Sequence, residues 1–470
     1  MSETVRVEKL DEVFMRVHCD DGLAKDLHDF FSFTVPGAKF MPSYKNRYWD
    51  GKVRLFSIKT NKIYIGLLPY VDEFCRERGF NFEGIQDVIG EKQRATEELH
   101  QFIEELNLPF SPRDYQMEAF RTAVQYGRQL LLSPTASGKS LIIYLLARYY
   151  NKKTIIIVPT TSLVEQMAKD FQDYGYQEDI CKIYSGQPVF DAPITITTWQ
   201  SFAKAPKEVM QSFDVVVGDE AHLFKAQTLK GILEKMKTTA IRIGTTGTLD
   251  GSECHRLQLE GMFGPVKKVI SSYQLMEEGT IAKINIQCVI LRHTKQKKMT
   301  YQEEMDYLCS NEERNKFITN LVSSLKGNTL VLFQYVEKHG EVLYPMLDGR
   351  VKDLHYVFGG TDTEDREKVR ELVEKSNDSV ILASYGTFST GINIKKIDNV
   401  VFASPSKSRI RNLQSIGRGL RKADGKDSMR LFDIADDLQC DNFTLRHLKE
   451  RINTYNEENF PYELKQFDLK

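Results

Sequence analysis

SPTASGKS, at residues 133–140, separates one apolar run, Leu130-Leu131-Leu132, from another, Leu141-Ile142-Ile143-Tyr144-Leu145-Leu146. The first run suits a short buried strand and the second a helix, so these residues form the turn between them. A Gly-Lys-Ser turn in that setting cradles phosphate. The unpaired N–H groups and positive dipole end of the helix receive the oxygens, Lys139 reaches the β and γ phosphates, and Ser140 faces Mg2+. The expected ligand is a nucleotide. The full pattern places glycine where this chain has Ser133, so the motif alone leaves an ordinary solvated turn open, and the surrounding chain must decide.

From Ser111 onward strands alternate with helices, which implies a parallel, doubly wound sheet. The expected strands are Leu130–Leu132, Thr154–Val158, Ile194–Thr198, Val215–Gly218 and Ile241–Gly244. A second series begins near Ile284 and continues with Thr329–Phe333, His355–Phe358, Val380–Ala383, Val400–Ala403 and Arg430–Ile434. Two α/β units of similar size therefore follow one another. The Val215 strand runs into Asp219-Glu220-Ala221-His222. Ligands of such sheets lie at the carboxyl ends of the strands. Asp219 is thus placed to hold Mg2+ and Glu220 to orient and deprotonate the attacking water. A strand ending in an acidic loop would look alike, but the phosphate turn upstream favours catalysis.

Three further stretches fit around this centre. Arg113-Asp114-Tyr115-Gln116 precedes the turn, and Gln116 offers the donor and acceptor that match the N6/N7 edge of adenine. Gly244-Thr245-Thr246-Gly247-Thr248 is a strand-end turn of small hydroxyl residues, able to relay the state of the nucleotide. In the second unit, Gln414-Ser415-Ile416-Gly417-Arg418-Gly419-Leu420-Arg421 puts Arg418 and Arg421 on neighbouring positions if the segment is helical, a face expected to reach a γ-phosphate across a cleft.

The chain has 470 residues, which at about 150 per domain suggests roughly three domains. Its net charge of -1 means that any nucleic-acid binding must come from local basic patches. Such a patch lies at residues 39–62, where Lys39, Lys45, Arg47, Lys52, Arg54, Lys59 and Lys62 face one acid, Asp50, with Tyr44, Tyr48 and Trp49 interleaved. Asp50-Gly51 predicts a hairpin turn. Cations on phosphates and aromatic faces on bases would make it a nucleic-acid-binding hairpin. A solvated hairpin with its aromatics packed inward is the competing reading.

The seven cysteines include no CxxC pair, which argues against a zinc ribbon and a disulfide framework and for a reducing compartment. The acidic N-terminus and the lack of about 18 consecutive apolar residues point away from targeting and the membrane, to a cytoplasmic protein. The expected layout is a small α+β module at 1–88, a linker helix at 89–110, α/β units at 111–280 and 281–440, and a closing helix with a polar end at 441–470.

SPTASGKS, IIVPTTSLVEQM (156–167), ITTWQS (196–201), GDEAH (218–222), TTGTL (245–249), SYGTFSTGIN (384–393) and QSIGRGLR (414–421) stand in the order of the superfamily 2 helicase motifs. With DFFSF (29–33) and NRYWDGKVRLF (46–56), the whole chain resembles the UvsW-type recombination and repair helicases of phages. The resemblance implies tandem RecA-like domains behind a small DNA-binding domain, and ATP-driven remodelling of branched DNA and RNA–DNA hybrids by a monomer.

It also implies site residues. Lys139, Ser140, Asp219, Glu220, Arg418 and Arg421 form the ATPase set. Arg113, Tyr115, Gln116, Pro134, Thr135, Ala136, Ser137, Gly138 and Asn393 line the nucleotide site. Pro159, Thr160, Thr198, Gly360, Ser384 and Thr387 meet the nucleic-acid backbone, and Lys45, Arg47, Trp49, Lys52 and Arg54 grip DNA in the first module. Two positions depart from the family: Ala136 replaces a glycine, and Asn393 replaces an aspartate and so offers a ribose an uncharged hydrogen bond. An RNA helicase and an ATP-switched nucleic-acid scaffold are the alternatives. Glu220 and the arginines speak against the scaffold, and the basic segment against a purely RNA substrate.

Overall fold

A computed structural model of the chain describes residues 4–89, 96–184, 190–387, 394–404, 406, 408–423 and 426–469. It separates into two compact units, 1–133 with 138–269, and 270–470 with 134–137.

The first unit opens with a four-stranded sheet, order β5-β2-β1-β6, of β1 (Thr4–Lys9), β2 (Phe14–His18), β5 (Lys62–Tyr64) and β6 (Asn81–Glu83). A separate antiparallel pair joins β3 (Ser32–Thr34) to β4 (Lys52–Arg54). The hairpin expected around Asp50-Gly51 is therefore corrected. The residues before the turn form a short helix, Pro42–Lys45, and β4 pairs with β3. Pro42 starts that helix because its missing N–H is needed by no helical carbonyl. Helices Asp21–Phe30 and Leu68–Glu77 pack on the small sheet through Leu23, Leu27, Val71 and Phe74, all buried.

The main sheet of this unit has seven strands in the order β13-β7-β12-β11-β8-β10-β9. These are β7 (Arg128–Leu132), β8 (Thr154–Val158), β9 (Ile180–Ile183), β10 (Ile194–Thr198), β11 (Val215–Asp219), β12 (Ile241–Thr246) and β13 (Val266–Lys268). All pair in parallel, so their near-continuous Val/Ile/Leu content follows from burial on both faces.

The small module and this sheet share one hydrophobic core, running from Val5 and Val7 through Leu67 and Phe74 to Val216, Phe224 and Phe263. Backbone approaches backbone so closely that a Cβ on Gly66 would lie 1.9 Å from the Glu260 carbonyl oxygen, which only glycine permits. Polar bonds fasten the same face. Tyr70 donates to Glu260 at 2.6 Å, Tyr64 donates to Glu234, and the Arg128 guanidinium, at the start of β7, meets Glu12 at 2.6 Å.

The second unit holds another seven-stranded parallel sheet, order β16-β17-β15-β18-β19-β14-β20. It comprises β14 (Lys283–Arg292), β15 (Thr329–Phe333), β16 (Asp353–Val357), β17 (Ser379–Ser384), β18 (Asn399–Phe402), β19 (Ser428–Asp437) and β20 (Tyr462–Asp468). The closing helix is Phe443–Glu457, but the expected polar end is corrected to strand β20. It is an edge strand with exposed side chains beyond Tyr462, so it lacks the apolar alternation that marks a half-buried strand. Among the described residues no helix is long and apolar enough to cross a membrane.

Candidate ATP site and nucleic-acid interface

β7 delivers Ser133, whose N–H donates to the Thr246 carbonyl at 2.8 Å. The loop then folds on itself: Ser137 Oγ donates to Pro134 O at 2.7 Å, and Lys139 Nζ to Ser133 O at 3.2 Å. Gly138 takes φ 77°, and the helix Lys139–Tyr150 begins directly after it, driven into the core by Leu141 through Ala147. A Cβ on Gly138 would come within 2.3 Å of Gln116 Nε2. Ala136 also sits in the left-handed region, at φ 67°, which explains the glycine of related loops; an L side chain there costs about 1–2 kcal/mol. Ser140 Oγ lies 2.8 Å from the Tyr174 hydroxyl.

Gln116 is 5% exposed, and its amide oxygen accepts the Arg113 N–H at 2.9 Å, capping the helix Asp114–Tyr126. Arg113 in turn donates to the Tyr115 hydroxyl at 2.9 Å. Gln116, expected to read adenine, and its nucleotide-site neighbours Arg113 and Tyr115 are thus one local motif, with the Gln116 amide against Gly138 of the phosphate turn.

Asp219 ends β11, 8% exposed, and accepts a hydrogen bond from Thr245 Oγ1 at 2.7 Å. Burial and then the Glu220 charge push its carboxyl above the usual range, against the pull of Lys139. Such a carboxylate is short of positive charge. Its carboxylate and the Ser140 hydroxyl are both hard oxygen donors of the kind that Mg2+ takes.

Glu220 adopts φ 52°, ψ 50° at the entry of a short 3-10 turn, Ala221–Lys225. Its Oε2 lies 3.2 Å from His222 Nδ1, which is also 3.0 Å from Thr246 Oγ1; Thr246 donates to the Thr248 carbonyl at 3.1 Å. His222 therefore stands between the expected base and the Gly-Thr turn at the end of β12, bonded to the turn and close to the carboxylate. Sequence reasoning assigns His222 no role. Its place after the acid pair is visible there, but its partner at Thr246 comes from strand pairing.

Hydroxyl groups line the carboxyl ends of adjacent strands in both sheets. Pro159 and Thr160 follow β8, and Thr160 caps the helix Thr161–Asp173. Thr198 ends β10, opposite Val158 in register, and donates to Ser201 Oγ at 3.1 Å. In the second unit Gly360 lies in the turn after β16, and the Ser384 hydroxyl at the end of neighbouring β17 is 2.8 Å from Thr387 Oγ1.

Arg418 lies in the last turn of the helix Arg409–Gly419, which Ser408 caps at its start. Arg421 lies beyond that helix, so the expected single helical face for both arginines is corrected. The segment turns at Gly419-Leu420 because the following carbonyls find tertiary donors. Asn393 lies outside the described residues.

In the small module Lys45, Arg47 and Lys52 are exposed. Arg54 is ion-paired with Asp50 and pulls that carboxyl down to about 2, so its charge is already engaged. Trp49 is half-buried and its indole N–H donates to the Lys52 carbonyl at 2.8 Å, holding the turn. The rings that stand in solvent are Phe40, 80% exposed, and Tyr48, 86% exposed. Phe40 lies inside the basic stretch, yet nothing in the composition marks it, because exposure is not readable there.

Three family models match the chain: "DNA helicase UvsW, N-terminal" at residues 4–84, "Type III restriction enzyme, res subunit" at 109–251, and "Helicase conserved C-terminal domain" at 313–423. The chain is 33% identical to the ATP-dependent DNA helicase uvsW of Enterobacteria phage T4, over 99% of this chain and all of the relative. The crystal structure of T4 UvsW superposes with a TM-score of 0.54 at 30% identity, covering 99% of this chain and 100% of that one. A putative HsdR subunit of a type I restriction enzyme from Vibrio vulnificus shares the fold, with a TM-score of 0.60 at 17% identity over 86% of this chain and 83% of that one.

Two RecA-like sheets, a phosphate turn and an Asp-Glu pair at a strand end, with these matches, make the chain an ATP-dependent helicase of superfamily 2. Within that class it belongs to the UvsW family of DNA helicases.

Proposed function

We propose that the chain couples ATP hydrolysis to the remodelling of branched DNA, at forks and junctions, and of RNA–DNA hybrids in recombination, repair and replication. The observation that carries this reading is the pair of solvent-exposed rings, Phe40 and Tyr48, set among Lys39, Lys45, Arg47 and Lys52 on a module that shares its core with the ATP-binding sheet. Rings that stand in water add nothing to a core, whereas unstacked bases at a branch offer matching faces and the flanking phosphates match the cations. The shared core means that a grip on the branch moves with the ATP-binding unit.

In this reading the ATP phosphates lie at the N-terminus of the helix Lys139–Tyr150, with Gln116 and Arg113 toward the base. Ser140 and Asp219 would hold Mg2+, which when bound supplies positive charge to the β and γ oxygens. Glu220 takes the proton of the attacking water, and His222, set between Glu220 and Thr246, relays its state to the end of β12. Arg418 and Arg421 stabilise charge in the transition state. Pro159, Thr160, Thr198, Gly360, Ser384 and Thr387 grip the backbone, which carries phosphate but little sequence information.

The test compares ATP turnover and strand exchange on single-stranded DNA, duplex, fork, four-way junction, RNA–DNA hybrid and RNA. Fork and junction should stimulate most; stimulation by RNA alone would overturn the reading. Reversal of Lys45, Arg47 and Lys52 to Glu should lower the slope of log affinity against log salt by about 0.9 for each phosphate that is no longer neutralised. Basal hydrolysis should persist. Replacing Phe40 and Tyr48 by Ala should weaken junction preference without moving the thermal midpoint.

A further inference from the structure

The end of the arginine-bearing helix is held in an unusual way. Arg409–Gly419 stops at Gly419, where a Cβ would lie 3.0 Å from Met429 Sδ and 3.2 Å from Val400 Cγ2, so the helix end is pressed against β18 and β19. The carbonyls that follow are each taken by a donor from elsewhere in the second unit. Leu420 O accepts the Ala282 N–H at 2.8 Å. Gly419 O and Arg421 O, the latter at 3.0 Å, both accept from the ammonium of Lys426. The third bond of that ammonium goes to Lys395 O at 3.1 Å.

Lys426 is 4% exposed, and its three bonds end on backbone carbonyls of two separate segments. Burial pulls its pKa down to about 8, with the Asp398 charge working the other way. Burying an ammonium is expensive, and a helix C-terminus can usually be finished by glycine or water. A cation placed here does something those cannot: it fixes the backbone of Arg421 as it leaves the helix, and ties it to Lys395, just past the Ser384–Asn393 stretch expected to meet nucleic acid and ribose.

We propose that Lys426 is a positioning residue for ATP hydrolysis, acting through Arg421, whose main chain it clamps between the helix end and Lys395. The proposal rests on the reading that Arg421 stabilises charge on the transferred phosphate. Because the clamp acts on backbone, it sets where the guanidinium starts from without touching substrate.

The experiment is a double-mutant cycle on the full chain with forked DNA, measuring single-turnover hydrolysis of bound ATP, ATP affinity and the thermal midpoint. Arg421→Ala should slow turnover by about 10³ or more with ATP affinity little changed. Lys426→Met should slow it by at least about tenfold, again with affinity within about twofold, and should add no further loss when combined with Arg421→Ala. Lys426→Arg keeps the charge but cannot place three donors at one point, so it should show a smaller loss that likewise vanishes beside Arg421→Ala; it serves if the Met variant fails to fold.

Losses that multiply in the double variant would show Lys426 acting elsewhere and overturn the proposal, as would normal turnover in both Lys426 variants. Those results leave the role of Arg421 standing. Normal turnover in Arg421→Ala itself would remove the arginine reading, and the clamp's purpose with it.

Discussion

Each RecA-like sheet buries a carboxylate near the carboxyl end of a central strand, and the two are treated in opposite ways. Asp219 in the first sheet has the Thr245 hydroxyl and the charge of Lys139 in its favour, yet burial with Glu220 beside it holds its pKa up. Asp436 in the second sheet is wholly buried, yet it accepts from Arg314 Nε at 2.8 Å and lies 2.9 Å from His293 Nε2. Burial alone would raise its pKa, but the Arg314 charge and the His293 bond outweigh that and leave it lowered. A carboxylate whose charge is already matched is a strut. One left short of cation suits a ligand, and on that difference rests the reading of Asp219 as part of the ATP site and of Asp436 as support for the second sheet.

The contrast can be broken most decisively at the catalytic end. Glu220→Gln should lower turnover by about 10²–10⁴ while ATP still binds and the unfolding curve stays put. Asp219→Asn should also stop turnover without destabilising the chain, since burial and Glu220 already disfavour the charged form of this carboxyl. A large drop in thermal midpoint for Asp219→Asn would mean that this carboxylate, too, is a strut.

The opposite outcome is expected of Asp436→Asn. It strands Arg314, 1% exposed, and should cost about 3–5 kcal/mol in denaturant unfolding. Stability near wild type would end the comparison from the other side. A smaller effect belongs to Thr246→Val, which deprives buried His222 of a partner worth about 1–3 kcal/mol. DNA-stimulated turnover should fall about tenfold with ATP affinity unchanged, and equal turnover with and without this hydroxyl would remove the relay. The smallest expected change is a gain: Ala136→Gly should stabilise the chain by about 0.5–1 kcal/mol by relieving the φ of 67°.

Much of the candidate site in the first sheet is legible because it is contiguous. Gly138, Lys139 and Ser140 lie at one strand-to-helix turn, and Asp219-Glu220 end one apolar strand, so local pattern and strand-end geometry suffice. The repeated strand series likewise announced two parallel sheets, since strands buried on both faces read as apolar runs. Other features were hidden for reasons of distance and environment. Asp50-Gly51 reads as a hairpin in isolation, yet Lys52–Arg54 gains more by pairing with Ser32–Thr34, and Pro42 starts a helix before it. The polar strand Tyr462–Asp468 has no pattern of its own and exists because β14 offers it an edge.

What the order of residues determined by itself is the phosphate turn, the acid pair, the basic stretch and the alternation of strands and helices, all encoded within a few residues of one another by periodicity and backbone preference. Only the tertiary structure decided which charges are matched. Arg314 finds Asp436, His222 finds Thr246, Lys426 finds three carbonyls, and Phe40 and Tyr48 find no core at all. The energy of a buried charge or an exposed ring depends on what folding brings beside it, and that information lies in no single stretch of chain.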